Sequence, residues 1–222
     1  MPAHASPVPS DTDREGVIKY RMDHRPCPLP PDIAIDELAA WRDILFLLGL
    51  TGADPNRYDG LAYGNVSLRL PGSNRFVVSG TQTGGLPTLD RQHFCIVESF
   101  DLAANHLSAS GPVPPSSEAL THAAVYQEQP EVDCVLHVHS PSIWLNAHRL
   151  GIPATAAGAR YGSPEMVAEV TRLLRTPDTN LMAMAGHEDG LIALGLAPRE
   201  TALILVGALA RVFALKSADA PQ

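Results

Sequence analysis

Between residues 35 and 50, apolar side chains recur at Leu38, Trp41, Ile44, Leu45 and Leu48, and Gly49 closes the run. That three-and-four spacing predicts an amphipathic helix with one buried face. From residue 63 to 97 the pattern changes to short runs at 65–70, 75–79 and 94–97, broken by glycine- and proline-containing turns, and these predict strands with tight connections. A second helix is predicted from Ser117, acting as N-cap, to about residue 127, ahead of Pro130. Residues 132–138 are apolar enough for an interior strand. Beyond them the pattern predicts a helix over 164–174, with Met166, Val167, Val170 and Leu174 on one side. Short strands at 180–184 and 191–194 come next, and then a last helix over 198–215 that opens on Pro198. One helix, several strands and then alternating helix and strand predict an α/β chain with a mixed or antiparallel central sheet.

Ahead of this patterned region, residues 1–35 carry seven prolines, which remove backbone donors too densely for a long helix. They read as an arm, with residues 36–222 as the domain. Within the arm, residues 17–22 have strand-like composition and can add to a sheet edge or to a neighbouring subunit.

Composition narrows the function. The chain has 222 residues, 45% of them hydrophobic, enough for one sizeable core. Its formal net charge of −8 opposes nucleic acid or an anionic membrane surface as main partner, so an anionic ligand must be held locally. The longest apolar runs, 44–48 and 203–210, fall well short of the ~18 residues that span a bilayer. The first residues lack a basic start followed by an apolar stretch, so a cytoplasmic location is expected. Cys27, Cys95 and Cys134 have no CxxC spacing and read as free thiols.

Candidate chemistry centres on His137 and His139. A strand period of two puts both imidazoles on one face, as a metal requires of two ligands from one strand, while Cys134 falls on the opposite face as a small core residue. A third ligand must come from His122, His148, His187, Glu118 or Asp133. His187 stands out because it lies in a turn flanked by Gly186 and Gly190. Three imidazoles with an open position are the donor set of a zinc-type catalytic site. Glu118, at a predicted helix start, reads equally as a site carboxylate or as a first-turn residue favoured by the helix dipole. Two segments, 64–67 and 79–85, offer hydroxyls, an amide and glycine-exposed N–H groups that could cradle an anion without lysine. Lys19 and Lys216 are the only lysines, and both lie in terminal segments, poor places for a Schiff base.

Taken in order, 64–69, 78–81, 115–118, 121–126, 137–140 and 186–190 resemble the motifs of the class II aldolase/adducin family, with Glu118 standing 19 residues before His137. The resemblance covers about residues 36–215. That family includes fuculose- and rhamnulose-phosphate aldolases, a ribulose-phosphate epimerase, methylthioribulose-phosphate dehydratase, aromatic-acid decarboxylases and the non-enzymatic adducin head. The resemblance implies a three-layer α/β/α sandwich with a largely antiparallel sheet, assembled as a homotetramer with sites at subunit interfaces. It further implies His137, His139 and His187 as ligands of Zn2+ or another divalent metal (Mn2+, Co2+ or Fe2+), and Glu118 as the acid/base residue. Asn65, Ser79, Gly80, Thr81, Ser116 and Ser117 are the implied anion-binding set. The implied activity is that of a lyase on a small hydroxy-carbonyl substrate such as a sugar phosphate, cleaving an aldol through a metal-stabilised enediolate. Epimerisation, dehydration, decarboxylation and a non-catalytic binding head are the alternatives. The chain departs from the pattern at His187, which is followed by Glu188-Asp189-Gly190 where the family more often has glycine at once. The family's proton-donating tyrosine has only Tyr161 as a candidate.

Overall fold

The computed structural model describes residues 17–218. In chain order these form strand β1 (Arg21–Pro26), helix α1 (Asp36–Leu47), and strands β2 (Gly52–Ala53), β3 (Ala62–Tyr63), β4 (Asn65–Arg69), β5 (Phe76–Ser79), β6 (Phe94–Asp101) and β7 (His106–Gly111). Helix α2 (Ala119–Glu128), strand β8 (Cys134–His139) and helices α3 (Pro141–Leu145), α4 (Ala147–Leu150) and α5 (Pro164–Leu174) follow. Strands β9 (Leu181–Ala183) and β10 (Gly190–Gly195) and helix α6 (Pro198–Ala218) complete the chain.

Among the described residues, eight strands make one sheet in the order β1-β7-β6-β5-β4-β8-β10-β9, and β2 and β3 form a separate ribbon. Neighbours in the large sheet are antiparallel except β1, which runs parallel to β7. Strand alternation feeds two cores. Val66, Leu136, Val138 and Leu191 point to the layer of α1, α6 and the short α3 and α4, where Leu38, Leu45, Leu205 and Val212 meet them. Val78, Val135 and Ile192 point the other way, onto Leu120, Ala123 and Val125 of α2 and Met166 and Val170 of α5. The result is the expected α/β/α sandwich. Cys134 belongs to the first core, opposite His137 as its parity requires.

Several elements differ from the sequence expectation. In α1, Ile44 and Leu48 stay 39% and 43% exposed, because the face that meets α6 is narrower than the apolar stripe. Arg42 is buried in their stead and donates to the carbonyls of Thr83 (2.9 Å), Gly84 (2.6 Å) and Leu86, pinning the turn after β5 to the helix. Helix α2 begins one residue later than expected, with Glu118 rather than Ser117 at its N-cap position; Ser116 Oγ accepts from the Glu118 N–H at 3.3 Å and shapes the entry. Strand β7 is not among the expected elements, since its alternation rests on Leu107 and Ala109 alone, between His106, Ser108 and Ser110. The strand in the arm forms at 21–26 rather than 17–22, and Pro26 is tolerated because β1 is the sheet edge.

Beneath β4 runs a buried polar string. Ser67 Oγ lies 2.7 Å from both His122 Nδ1 and the Tyr126 hydroxyl of α2. Arg69, on the same strand, donates to the Tyr126, Gln129 and Val132 carbonyls at 2.8–3.0 Å and so satisfies the end of α2. His122 is fully buried, and burial, then the nearby His137, pushes its pKa down to about 3. An unfolded histidine titrates near 6.5, so between these values the unfolded chain binds the extra proton. This contribution to stability is therefore intact above pH ~6.5 and is lost as the pH falls toward about 3. In urea unfolding from about pH 7 to about pH 4, the parent should lose stability faster than His122→Asn, by up to ~1.4 kcal/mol per pH unit. Equal slopes would show that His122 is not the group responsible.

Candidate metal centre

The centre stands where β4, β8 and β10 lie side by side. In register, Asn65 pairs with His137 on one side, and Ile192 pairs with His137 and Gly190 with His139 on the other. Two glycines let the backbone close around this corner. Gly64 has φ 83°, and a Cβ there would stand 2.6 Å from Thr51 Cγ2 and 3.2 Å from the His137 carbonyl oxygen. At Gly186 a Cβ would stand 1.9 Å from the Ala159 carbonyl oxygen, so only glycine lets residues 157–159 pack onto the β9–β10 turn. That turn is tied by His187 N–H to the Met184 carbonyl (3.0 Å) and Gly190 N–H to the His187 carbonyl (3.0 Å), and it carries the His187 ring inward.

His137, His139 and His187 meet there, with one nitrogen of each within 4.8 Å of the others, and all three are buried. His137 Nδ1 lies 3.0 Å from the Leu191 carbonyl oxygen and donates to it, which aims Nε2 at the centre. His137 Nε2 and His139 Nε2 stand 3.2 Å apart. Two imidazole nitrogens bound tetrahedrally at ~2.0–2.1 Å would be separated by about 3.3 Å, so the pair has the spacing of two ligands on one metal ion. Burial, then the charges of His187, His137 and Arg57, holds the His139 pKa well below its ordinary value, so the ring is neutral as a ligand must be. The donor set fits a borderline cation such as zinc, with room for a fourth ligand.

Glu118 is 1% exposed at the start of α2. Its Oε2 accepts from Thr121 Oγ1 at 2.8 Å, and its Oε1 lies 4.0 Å from His187 Nδ1. The other third-ligand candidates lie elsewhere. Asp133 is at the far end of β8 with Arg69 (3.4 Å), His148 is exposed on α4, and His122 lies in the string under β4.

The predicted anion-binding residues converge on the same corner. Ser79 Oγ accepts from the Val66 N–H at 3.1 Å, Gly80 bridges to Pro115, and Ser116 N–H donates to the Ser79 carbonyl at 3.2 Å. Asn65, Ser79, Ser116 and Ser117 are all buried. One expectation changes. The N–H groups of Gly80 and Thr81 are committed to the carbonyls of His93 (2.8 Å) and Pro114 (3.0 Å), so the turn presents side-chain hydroxyls rather than glycine amides.

The sequence offered Tyr161 as a site tyrosine, through the family resemblance, but not the aromatic wall around the histidines to which it belongs. The ring centroids of Tyr58 and Tyr63 lie 4.7 and 5.3 Å from that of His139, and Tyr161 lies 4.8 Å from His187. Tyr58 and Arg57 both donate to Asp189 Oδ2 at 2.7 Å, which latches the 54–61 segment over His139. Burial, then the bond to Asp189, raises the Tyr58 pKa, so its hydroxyl stays protonated. Tyr58 and Asp59 hold left-handed φ values of 51° and 56°, an unfavourable conformation for tyrosine that the latch maintains. The one local signal for this wall was the adjacency of Tyr63 to the Gly64-Asn65 motif.

Among known proteins, the methylthioribulose-1-phosphate dehydratase of Stenotrophomonas maltophilia is 32% identical over 81 residues, 32% of this chain and 38% of that protein. The enzyme of the same name from Leptospira interrogans is 35% identical over 82 residues, 35% of this chain and 32% of that protein. These matches thus span about a third of the relatives' length. Among solved structures, an L-fuculose 1-phosphate aldolase superposes with TM-score 0.63 at 16% identity, covering 88% of this chain and 91% of the other. A sugar-phosphate aldolase from Thermotoga maritima superposes with TM-score 0.63 at 16% identity, covering 85% and 97%. Those two likenesses establish the fold. Residues 53–210, which include every strand that carries the histidines, match the class II aldolase and adducin N-terminal domain, and the chain belongs to that family.

Proposed function

We propose that this chain is a divalent-metal lyase acting on a small phosphorylated hydroxy-carbonyl compound, with His137, His139 and His187 holding the metal and Glu118 moving the proton. The observation that carries this reading is the convergence of three buried imidazoles, two of them 3.2 Å apart, beside a buried carboxylate. Zinc suits the donor set best, and a bound divalent cation supplies a Lewis acid that polarises the substrate carbonyl and stabilises the charge built on its oxygen.

The chain's own residues supply the rest. Glu118 takes a proton from substrate carbon and returns it to carbon or to the departing oxygen, and Thr121 fixes the carboxylate through Oε2 so that Oε1 faces the centre. The hydroxyls of Ser79, Thr81, Ser116 and Ser117, with the Asn65 amide and the Gly80 turn, hold the anionic end of the substrate. Tyr58, Tyr63 and Tyr161 keep water from the histidines. Loss of water begins with this proton transfer, whereas cleavage of a carbon–carbon bond begins with loss of the substrate's hydroxyl proton and ends with a proton delivered by Glu118 to the carbon set free. Dehydration is the second reading, favoured by the likeness to the two methylthioribulose-1-phosphate dehydratases.

The assembly proposed is a homotetramer and the location cytoplasmic, the latter in keeping with Cys27, Cys95 and Cys134 as free thiols. No helix among the described residues is long and apolar enough to cross a membrane.

Purified chain should contain close to one divalent metal ion, and His137→Ala should lose most of it while keeping its circular dichroism, since the β8 ladder does not need the side chain. Full occupancy in the variant would place the metal elsewhere. Glu118→Gln preserves shape and metal content, and should lower turnover of methylthioribulose 1-phosphate or fuculose 1-phosphate by about 10² to 10⁴. Parent-like turnover would move the proton to another group, and a parent inactive on a broad sugar-phosphate screen would favour a binding head. Solution scattering at micromolar concentration should give the mass of four chains, and a monodisperse monomer would end the tetramer proposal.

A further inference from the structure

Lys19 stood apart from the chemistry in the sequence, as an arm lysine, yet the fold carries it to the metal centre. Tyr20 anchors the approach, its buried hydroxyl donating to the Ser116 carbonyl at 2.7 Å. On the other side of Lys19, Asn105 Nδ2 donates to the Lys19 carbonyl at 3.1 Å, and Arg21 N–H donates to the Asn105 carbonyl at 2.9 Å. Held at both ends, Lys19 extends its ammonium to 3.6 Å from the centroid of the Tyr161 ring, and donates to the Tyr161 carbonyl at 3.2 Å. The same Tyr161 ring packs on His187 at 4.8 Å, inclined by 31°. Gly162 completes the junction. A Cβ built there would stand 3.4 Å from the Ser117 carbonyl oxygen and 3.7 Å from Lys19 Cδ, so the lysine stem and the Ser116-Ser117-Glu118 segment share one small space.

We propose that Lys19 is a positioning residue of the centre. It grips Tyr161 by ring and carbonyl together, so that the tyrosine presses on His187, and it brings a fixed positive charge beside the serines that would hold the substrate's anionic group. A cation–π contact shielded from water and a charged hydrogen bond to the same residue cooperate in this grip. The charge matters more in this chain than it would in a basic one, because a net charge of −8 opposes the approach of an anion and the only other lysine, Lys216, lies in the last turns of α6. On this view the arm is one wall of the site. The proposal rests on the metal-centre reading above and names a residue that reading leaves out.

The test uses the full chain loaded with Co2+, whose visible absorption reports on the histidine ligands, and inorganic phosphate as the anionic probe. Lys19→Met keeps the stem but removes charge and donor, and Lys19→Arg keeps both. Lys19→Met should bind one Co2+ as the parent does, with a changed visible band, and should bind phosphate about tenfold more weakly with a flatter dependence on salt. Lys19→Arg should restore band and affinity. If Lys19→Met does not fold, Lys19→Gln keeps a donor for the Tyr161 carbonyl, drops only the charge and should show the same loss of phosphate affinity. A lysine with only a structural role would lower the melting temperature and leave band and affinity at parent values, and that result overturns the proposal. A parent that takes up no Co2+ overturns the metal-centre reading and this proposal with it. A parent that binds both Co2+ and phosphate, and is matched by Lys19→Met, overturns the role of Lys19 alone.

Discussion

Three imidazoles can share a buried corner only as neutral rings turned toward one point, because in a medium of low dielectric their protonated forms repel and an unoriented ring wastes its polar atoms. The surrounding structure answers that constraint. The Leu191 carbonyl fixes the tautomer of His137 from the neighbouring strand. Burial and adjacent positive charge keep the His139 pKa low. Gly186 lets the turn that bears His187 lie against residues 157–159, where any larger residue would collide with the Ala159 carbonyl. The sheet supplies rigidity, and the loops at its edge supply the third imidazole and the walls.

Those walls are aromatic and differ in how they are fastened. Over His139, Tyr58 is latched by Asp189, a residue of the same turn as His187, so the segment above the centre and the turn below it move together. Over His187, Tyr161 is held by Lys19 from the segment just ahead of β1, the strand at the opposite edge of the sheet order. Lys19 thereby places positive charge at the rim of the centre in a chain whose net charge is −8, while the Arg57 charge is balanced by Asp189 at 2.7 Å, and local fields of this kind matter more to an approaching anion than the distant total does. The 54–61 segment has little core of its own and is tied down through one carboxylate, that of Asp189.

Features that depend on near neighbours in the chain were legible from the sequence. The period of two placed His137 and His139 together and sent Cys134 to the other core, and helical periodicity located α1 and α5. His187 was preferred over His148 and Asp133 because glycines mark a tight turn, and the structure brings it to the other two. Strand β7 was not legible, because only Leu107 and Ala109 mark its inward face, too short an alternation to stand out from the polar residues around it. Nor was the burial of Arg42 over Ile44, which follows from three carbonyls of a distant turn needing a donor.

The sequence by itself determined the layer order, the placing of His137 and His139 on one face of β8 and the family, since each is written in local spacing or in motifs read in order. Tertiary structure alone decided which groups surround the histidines. Lys19 and Tyr161 stand 142 positions apart, and Tyr58 and Asp189 stand 131 apart, distances over which no periodicity can signal a contact. Only the closing of the sheet, with β1 added at one edge and the β9–β10 turn folded in at the other, brings those side chains to one centre, and the free energy that holds them there comes from burial across the whole sandwich rather than from any segment read alone.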